Sequence, residues 1–279
     1  MTDHLQPDPG LRRRSIRAKL LHTLGVVAVV ALLGASGLGV QQAESRGGPV
    51  ITGGGAVPRG LMSPTAVVPN TRKATERTST RSGKGRRAVA RDKAAAAVDP
   101  AWARRTARAA DIPLPALTAY ARASMLAPRG CRIGWTTLAG VGWIESQHGT
   151  LGDRRLRRDG QSSRPILGPA LDGSGEFSAI EATRDSARWH GNRTWDHAVG
   201  PMQFIPSTWR TWQVDGDGDG SADPNDIDDA ALAAARYLCQ SGDLMVGETW
   251  ARAILRYNNS TDYVLDVYTA ADMYDDRTG

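Results

Sequence analysis

The chain has 279 residues with 35 Lys and Arg against 29 Asp and Glu, a formal charge of +6, enough length for one or two ordinary domains. The excess is confined to the start: residues 1–98 hold 16 basic and 5 acidic residues, whereas residues 99–279 hold 19 and 24. The foldable part therefore offers no basic footprint, which argues against nucleic acid as a partner, and its two cysteines are too few for a four-thiolate zinc site.

Taken in order, residues 1–19 form a basic segment carrying Arg12, Arg13, Arg14, Arg17 and Lys19. Residues 20–43 contain no charged side chain, and a basic flank before such a stretch is the pattern of a cytoplasmic-membrane anchor or of a signal peptide. Either reading places the rest outside the cytoplasm, membrane-anchored facing the wall or secreted into it. Residues 44–98 are rich in Gly, Pro, Ser, Thr and Arg and lack aromatic residues. That composition cannot bury enough apolar area to offset backbone ordering, so a disordered basic linker is expected.

A folded domain is expected over residues 99–279, where all eight Trp and all six Tyr lie. Helical periodicity predicts helices over 100–110 and 115–126, and a third capped by Thr136 or Thr137 that stops near Gly149. Residues 150–197, with Pro165, Gly168, Pro169 and Gly173, read as a surface excursion with a short helix near 183–190. Ser207 is a candidate cap after Pro206, and Asp226 or Asp228 opens the helix DDAALAAARYLCQ. Further helices are expected over 246–257 and 263–271, and alternating strand patterns are nearly absent, so the fold class is mainly α. In an exported chain, Cys131 and Cys239 are expected to pair, two separate buried thiols being the alternative.

Two features carry chemistry. Leu138, Val141, Gly142 and Glu145 share one helical face. A carboxylate ending an apolar stripe and facing a cleft would be desolvated, its pKa raised, as a general acid requires. Pairing with an arginine or rotation to solvent is the alternative. The second feature is AVGPMQFIPSTW, where Gly200 and Pro201 shape a turn and Gln203 can bind a sugar amide or hydroxyl. Met202 and Phe204 are either groove walls or core.

GWIESQHG, AVGPMQFIPSTW and ARAILRYNNSTDYVLDV, in that order, resemble the soluble lytic transglycosylases, in particular the MltB-like branch of actinobacteria. The resemblance implies a mainly α, lysozyme-like lytic transglycosylase domain. It implies cleavage of the β-1,4 bond between N-acetylmuramic acid and N-acetylglucosamine in peptidoglycan glycan strands, with 1,6-anhydromuramic ends. Glu145 would be catalytic; Ser146, Met202, Gln203, Phe204, Tyr257, Asn258 and Tyr263 would bind or frame the substrate. A hydrolytic muramidase or a non-catalytic peptidoglycan-binding module are the alternatives.

DGDGDGSADPND, residues 215–226, is close to an EF-hand loop, and the implied family carries an EF-hand-like calcium site in this region. Asp215, Asp217, Asp219, Ser221, Asp223 and Asp226 fall at ligand positions 1, 3, 5, 7, 9 and 12, with Gly220 at the sharp turn. The expected cofactor is structural calcium, with no organic cofactor.

Overall fold

The structure is a computed structural model that describes residues 97–174 and 178–279. The basic segment, the apolar stretch and nearly all of the expected linker lie outside the described residues. One expectation is corrected here: no helix among the described residues is long and apolar enough to cross a membrane. The described residues supply no transmembrane segment, and that assignment is withdrawn.

Eight helices and one small sheet are described. They are α1 (Pro100–Ala110), α2 (Leu114–Leu126), α3 (Trp135–Ser146), β1 (Leu167–Ala170), α4 (Ala187–His190), β2 (His197–Val199), α5 (Pro206–Trp212), α6 (Ile227–Leu238), α7 (Gly247–Tyr257) and α8 (Thr261–Thr278). Asp99 caps α1 by accepting from the Trp102 amide at 2.6 Å, with Pro100 in the first turn. Asp226 caps α6 by accepting from the Asp228 amide, and Ser260 caps α8 by accepting from that of Tyr263. Two expected caps are displaced: Thr136 and Thr137 lie inside α3 as buried residues, and Ser207 lies inside α5, whose N-cap is Ile205. The last helix runs seven residues beyond its expected end at Ala271, to Thr278.

α3 occupies the centre. Ten of its twelve residues are buried, so the Leu138–Glu145 stripe is one side of a helix covered nearly all round. α8 packs on it most extensively, and α2 lies against both α3 and α6. The approach of α8 to α3 is set by glycine: a Cβ at Gly140 would stand 2.7 Å from the Val267 carbonyl oxygen. Tyr263, Val267, Ala271 and Tyr274 recur at spacings of four, four and three and are buried, giving α8 one face toward the core. Trp250 of α7 donates its indole N–H to Thr137 Oγ1 at 3.1 Å. A disulfide joins Cys131, before α3, to Cys239 at the end of α6.

The excursion between α3 and α5 carries the one sheet among the described residues, β1 and β2 antiparallel with Leu167 opposite Val199. The sequence shows no alternation here because each strand has only three or four residues.

Candidate active site and acidic loop

Glu145 sits in the last turn of α3 and is 7% exposed. The Tyr263 hydroxyl donates to its Oε1 at 2.5 Å. Burial pushes the carboxyl pKa up from 4.5 to about 8, against a smaller lowering by the Tyr263 hydrogen bond. No arginine pairs with Glu145, and no second carboxylate contributes to its ionisation among the described residues. The side chain is thus a carboxylic acid at neutral pH.

Tyr263 stacks on Tyr257 with ring centroids 6.5 Å apart and planes 3° from parallel. Tyr257 donates its hydroxyl to the Met202 carbonyl at 2.8 Å and meets Phe204 edge-on. The turn between β2 and α5 is closed by Val199 and Phe204, which exchange both backbone hydrogen bonds at 2.9 and 3.0 Å. Gly200 takes φ +79°, and a Cβ there would stand 1.8 Å from the Pro224 carbonyl oxygen, so no other residue fits. Gln203 takes the left-handed conformation, φ 48°, and is 4% exposed. Its Nε2 donates to Gly200 O at 2.8 Å and Ile166 O at 3.4 Å, which fixes the orientation of the amide. Ser146 donates to Pro201 O at 2.6 Å and accepts from Gly149 N at 2.8 Å, tying the end of α3 to this turn.

These bonds bring Glu145, Ser146, Gln203, Tyr257 and Tyr263 into one connected constellation. Asn258 ends α7, buried, with its Nδ2 lacking a hydrogen-bond partner. Met202 and Phe204, expected as groove walls, are 0% and 3% exposed and belong to the core. Their buried side chains anchor the turn, while the Met202 carbonyl meets the Tyr257 hydroxyl and the Phe204 backbone pairs with Val199.

Sequence reasoning missed the support behind Glu145. His148, three residues on, is buried between the Tyr120 hydroxyl on Nδ1 at 3.1 Å and the Tyr274 hydroxyl on Nε2 at 2.8 Å. Burial lowers its pKa to about 3, so the imidazole is neutral, donating at one nitrogen and accepting at the other. A Cβ at Gly142 would fall 2.0 Å from the Tyr120 hydroxyl, so the glycine admits that ring. The available signal was Tyr274, eleven residues after Tyr263 and on the same helical face.

The acidic loop differs from the expected ligand set. Asp215, Asp217 and Asp229 bring one carboxylate oxygen each within 4.8 Å of one another. Asp226 is not part of that close group; its carboxylate caps α6 and accepts from Gln161 Nε2 at 3.4 Å. Asp219 accepts from the Ser221 amide and Asp223 from the Asn225 amide, as short polar residues do within turns. The EF-hand spacing is therefore not realised; the third carboxylate comes from the first turn of α6, three residues beyond Asp226. Asp229 also accepts from Gly216 N at 2.6 Å and Asp223 N at 2.8 Å, clamping both ends of the loop. Burial, with the charges of Asp217 and Asp215, raises its pKa to about 6. Three converging carboxylates in which one is buried can coordinate a divalent cation, which would relieve their mutual repulsion.

Comparison with known proteins bears on the middle of the three motifs. Residues 182–254 match the family described as Transglycosylase SLT domain. Over that stretch the chain is similar to transglycosylases of the SLT type. The match takes in Gln203 and the acidic loop, while Glu145 and Tyr257–Tyr263 lie outside it. Among solved structures the chain is similar to the Escherichia coli lytic transglycosylase SLT35 in complex with bulgecin A, at 16% identity, over 67% of this chain and 77% of that one, with a TM-score of 0.40. No curated protein matches the chain.

Two outcomes are expected. Glu145 binds a proton in the folded state up to about pH 8 but only up to about pH 4.5 when unfolded. Stability from this group thus falls as pH rises from 4.5 to 8. Glu145→Gln should melt with the parent at pH 4.5 and above it at pH 8, by roughly 10 °C, in paired thermal scans; a gap that ignores pH contradicts the assignment. For the loop, calcium added to the chelator-treated chain should raise the melting temperature, and Asp229→Asn should abolish that gain while Asp219→Asn keeps most of it.

Proposed function

We propose that this SLT-domain enzyme cleaves the glycan strands of peptidoglycan, with Glu145 as the single acid and base. The observation that carries the reading is the buried Glu145 carboxyl held by Tyr263 beside the Gln203 turn. A protonated carboxyl at neutral pH is what a glycosidic oxygen needs to leave as an alcohol.

Glu145 gives its proton to the bridging oxygen as the bond to muramic acid C1 breaks. Positive charge spreads over C1 and the ring oxygen, and the Glu145 carboxylate now faces it. Tyr263 stabilises that carboxylate through its hydrogen bond, the contact that lowers the Glu145 pKa. Glu145 then takes the proton of the sugar's C6 hydroxyl as O6 bonds to C1. The balance closes without water: one C–O bond breaks, one forms, and the proton returns to Glu145. Anhydromuramic ends follow.

Hydrolytic glycosidases place two carboxyl groups about 5 to 9.5 Å apart across the bond. The one-carboxylate route is preferred because, among the described residues, no second carboxylate acts on Glu145. Gln203, pinned through its nitrogen, is assigned to a sugar hydroxyl or acetamido group, with Ser146, Tyr257 and Asn258 holding the site. The motif order supports reading the chain as a member of the MltB-like branch, with a lysozyme-like domain over residues 99–279. Calcium is the cation assigned to the loop, from its all-oxygen donors, as a structural brace for α6. The substrate requires export.

Purified full-length chain should release muropeptides with anhydro ends from peptidoglycan, read by mass spectrometry. Glu145→Gln should lower the rate by about 1,000-fold or more. Reducing muramic ends would instead select hydrolysis. Full activity in Glu145→Gln would sink the proposal.

A further inference from the structure

Charge is segregated along the chain by residue type as well as by sign. Residues 99–279 contain no lysine: Lys19, Lys73, Lys84 and Lys93 are the four lysines of the sequence, and all precede the folded domain. The densest basic stretch there is residues 72–93, with nine basic and two acidic side chains. Lys93 stands seven residues before Pro100, where α1 begins.

α8 carries the opposite sign. Tyr263, Val267, Ala271 and Tyr274 form its buried face. The face turned away carries Asp262, Asp266, Asp272 and Asp276 around Leu265, which is 58% exposed. Asp262 with Asp266, and Asp272 with Asp276, are four positions apart, a spacing at which like charges destabilise a helix. Burial and the charge of Asp262 raise the Asp266 pKa, and burial and the charge of Asp276 raise that of Asp272. Among the described residues no ion pair relieves this repulsion. The neighbouring helix α1 offers Arg104, Arg105 and Arg108, and none of them pairs with α8.

The acidic loop is differently placed. Asp217, Asp219 and Asp223 accept from backbone amides, and Asp228 pairs with Arg122. Those carboxylates have partners within the fold, so the α8 stripe is where negative charge stands uncompensated among the described residues.

Reach and pattern name the partner. α1 packs against α8. Seven residues of chain reach about 23 Å, α8 is about 27 Å long, and residues 72–93 extend to roughly 70 Å, so the segment can follow the whole stripe. Its composition mirrors the stripe: Ala88, Val89 and Ala90 lie between Arg87 and Arg91, as Leu265 lies between Asp262 and Asp266.

We propose that the outer face of α8 is the docking surface for the chain's own basic segment, residues 72–93, whose arginines and lysines pair with Asp262, Asp266, Asp272 and Asp276. Each exposed pair contributes little alone. The covalent tether supplies a high local concentration, so several weak pairs hold together. A polyanion that binds the same arginines releases the segment and lengthens the tether to the domain. The docking does not depend on cleavage at Glu145.

Zero-length carbodiimide coupling of the unaltered full-length chain reads this contact, because every lysine amide formed must start in residues 1–98. Mass spectrometry should place most couplings of Lys84 and Lys93 within one chain, at Asp262, Asp266, Asp272 and Asp276. Raising the salt from about 10 mM to about 1 M, which cuts the screening length from about 30 to about 3 Å, should lower that yield at least about fivefold. Arg86→Gln with Arg87→Gln and Arg91→Gln should lower it similarly at low salt; these positions precede the packed domain and leave every lysine in place. Couplings centred on residues 215–229, spread evenly over the exposed carboxylates, or formed between two chains overturn the docking. So does a yield that neither salt nor the Gln variant lowers.

Discussion

The contact between α3 and α8 governs the rest of the site. It depends on Gly140, whose missing side chain lets the Val267 carbonyl reach the α3 backbone. Two helices so close cannot slide without backbone collision, so their register is fixed. That register sets Tyr263 over Glu145 at one end and Tyr274 against His148 at the other. Both are hydrogen bonds between buried groups, and breaking either strands a polar atom at a cost of about 1–3 kcal/mol. Close packing and polar pairing therefore demand the same arrangement of the two helices.

The chemistry follows from that arrangement. Glu145 is buried because α3 runs through the centre, and it is buried without a charged partner, so its proton is held to about pH 8. The Tyr263 hydroxyl counters part of this effect, which is the balance a group needs if it must both give and take a proton. Tyr257 extends the linkage from Tyr263 to the Met202 carbonyl, so the acid and the Gln203 turn are positioned by one stack of rings.

The legible parts of the sequence were those written in short-range spacing. Helices α1, α2 and α6 have caps or prolines at their starts, α7 has apolar positions at helical intervals, and the expected bounds of all four lie within a few residues of those observed. Glu145 was visible as a carboxylate on an apolar stripe, although the stripe could not reveal that α3 is covered on nearly all sides. What required three dimensions was partnership. Nothing in local spacing ties Tyr263 to a residue 118 positions earlier, or Tyr274 to His148 across 126. The acidic loop misled because Asp226 has the spacing of a twelfth ligand, but its carboxylate caps α6, leaving Asp229 to complete the cluster.

The central claim is that Glu145 remains a neutral acid at physiological pH under the control of Tyr263. Carbon-13 NMR titration of the Glu145 carboxyl, assigned by its loss in Glu145→Gln, measures this directly. The account predicts a midpoint near pH 8, moving higher in Tyr263→Phe, where the bond favouring the carboxylate is gone. A midpoint near 4.5, or one that Tyr263→Phe leaves in place, would contradict it.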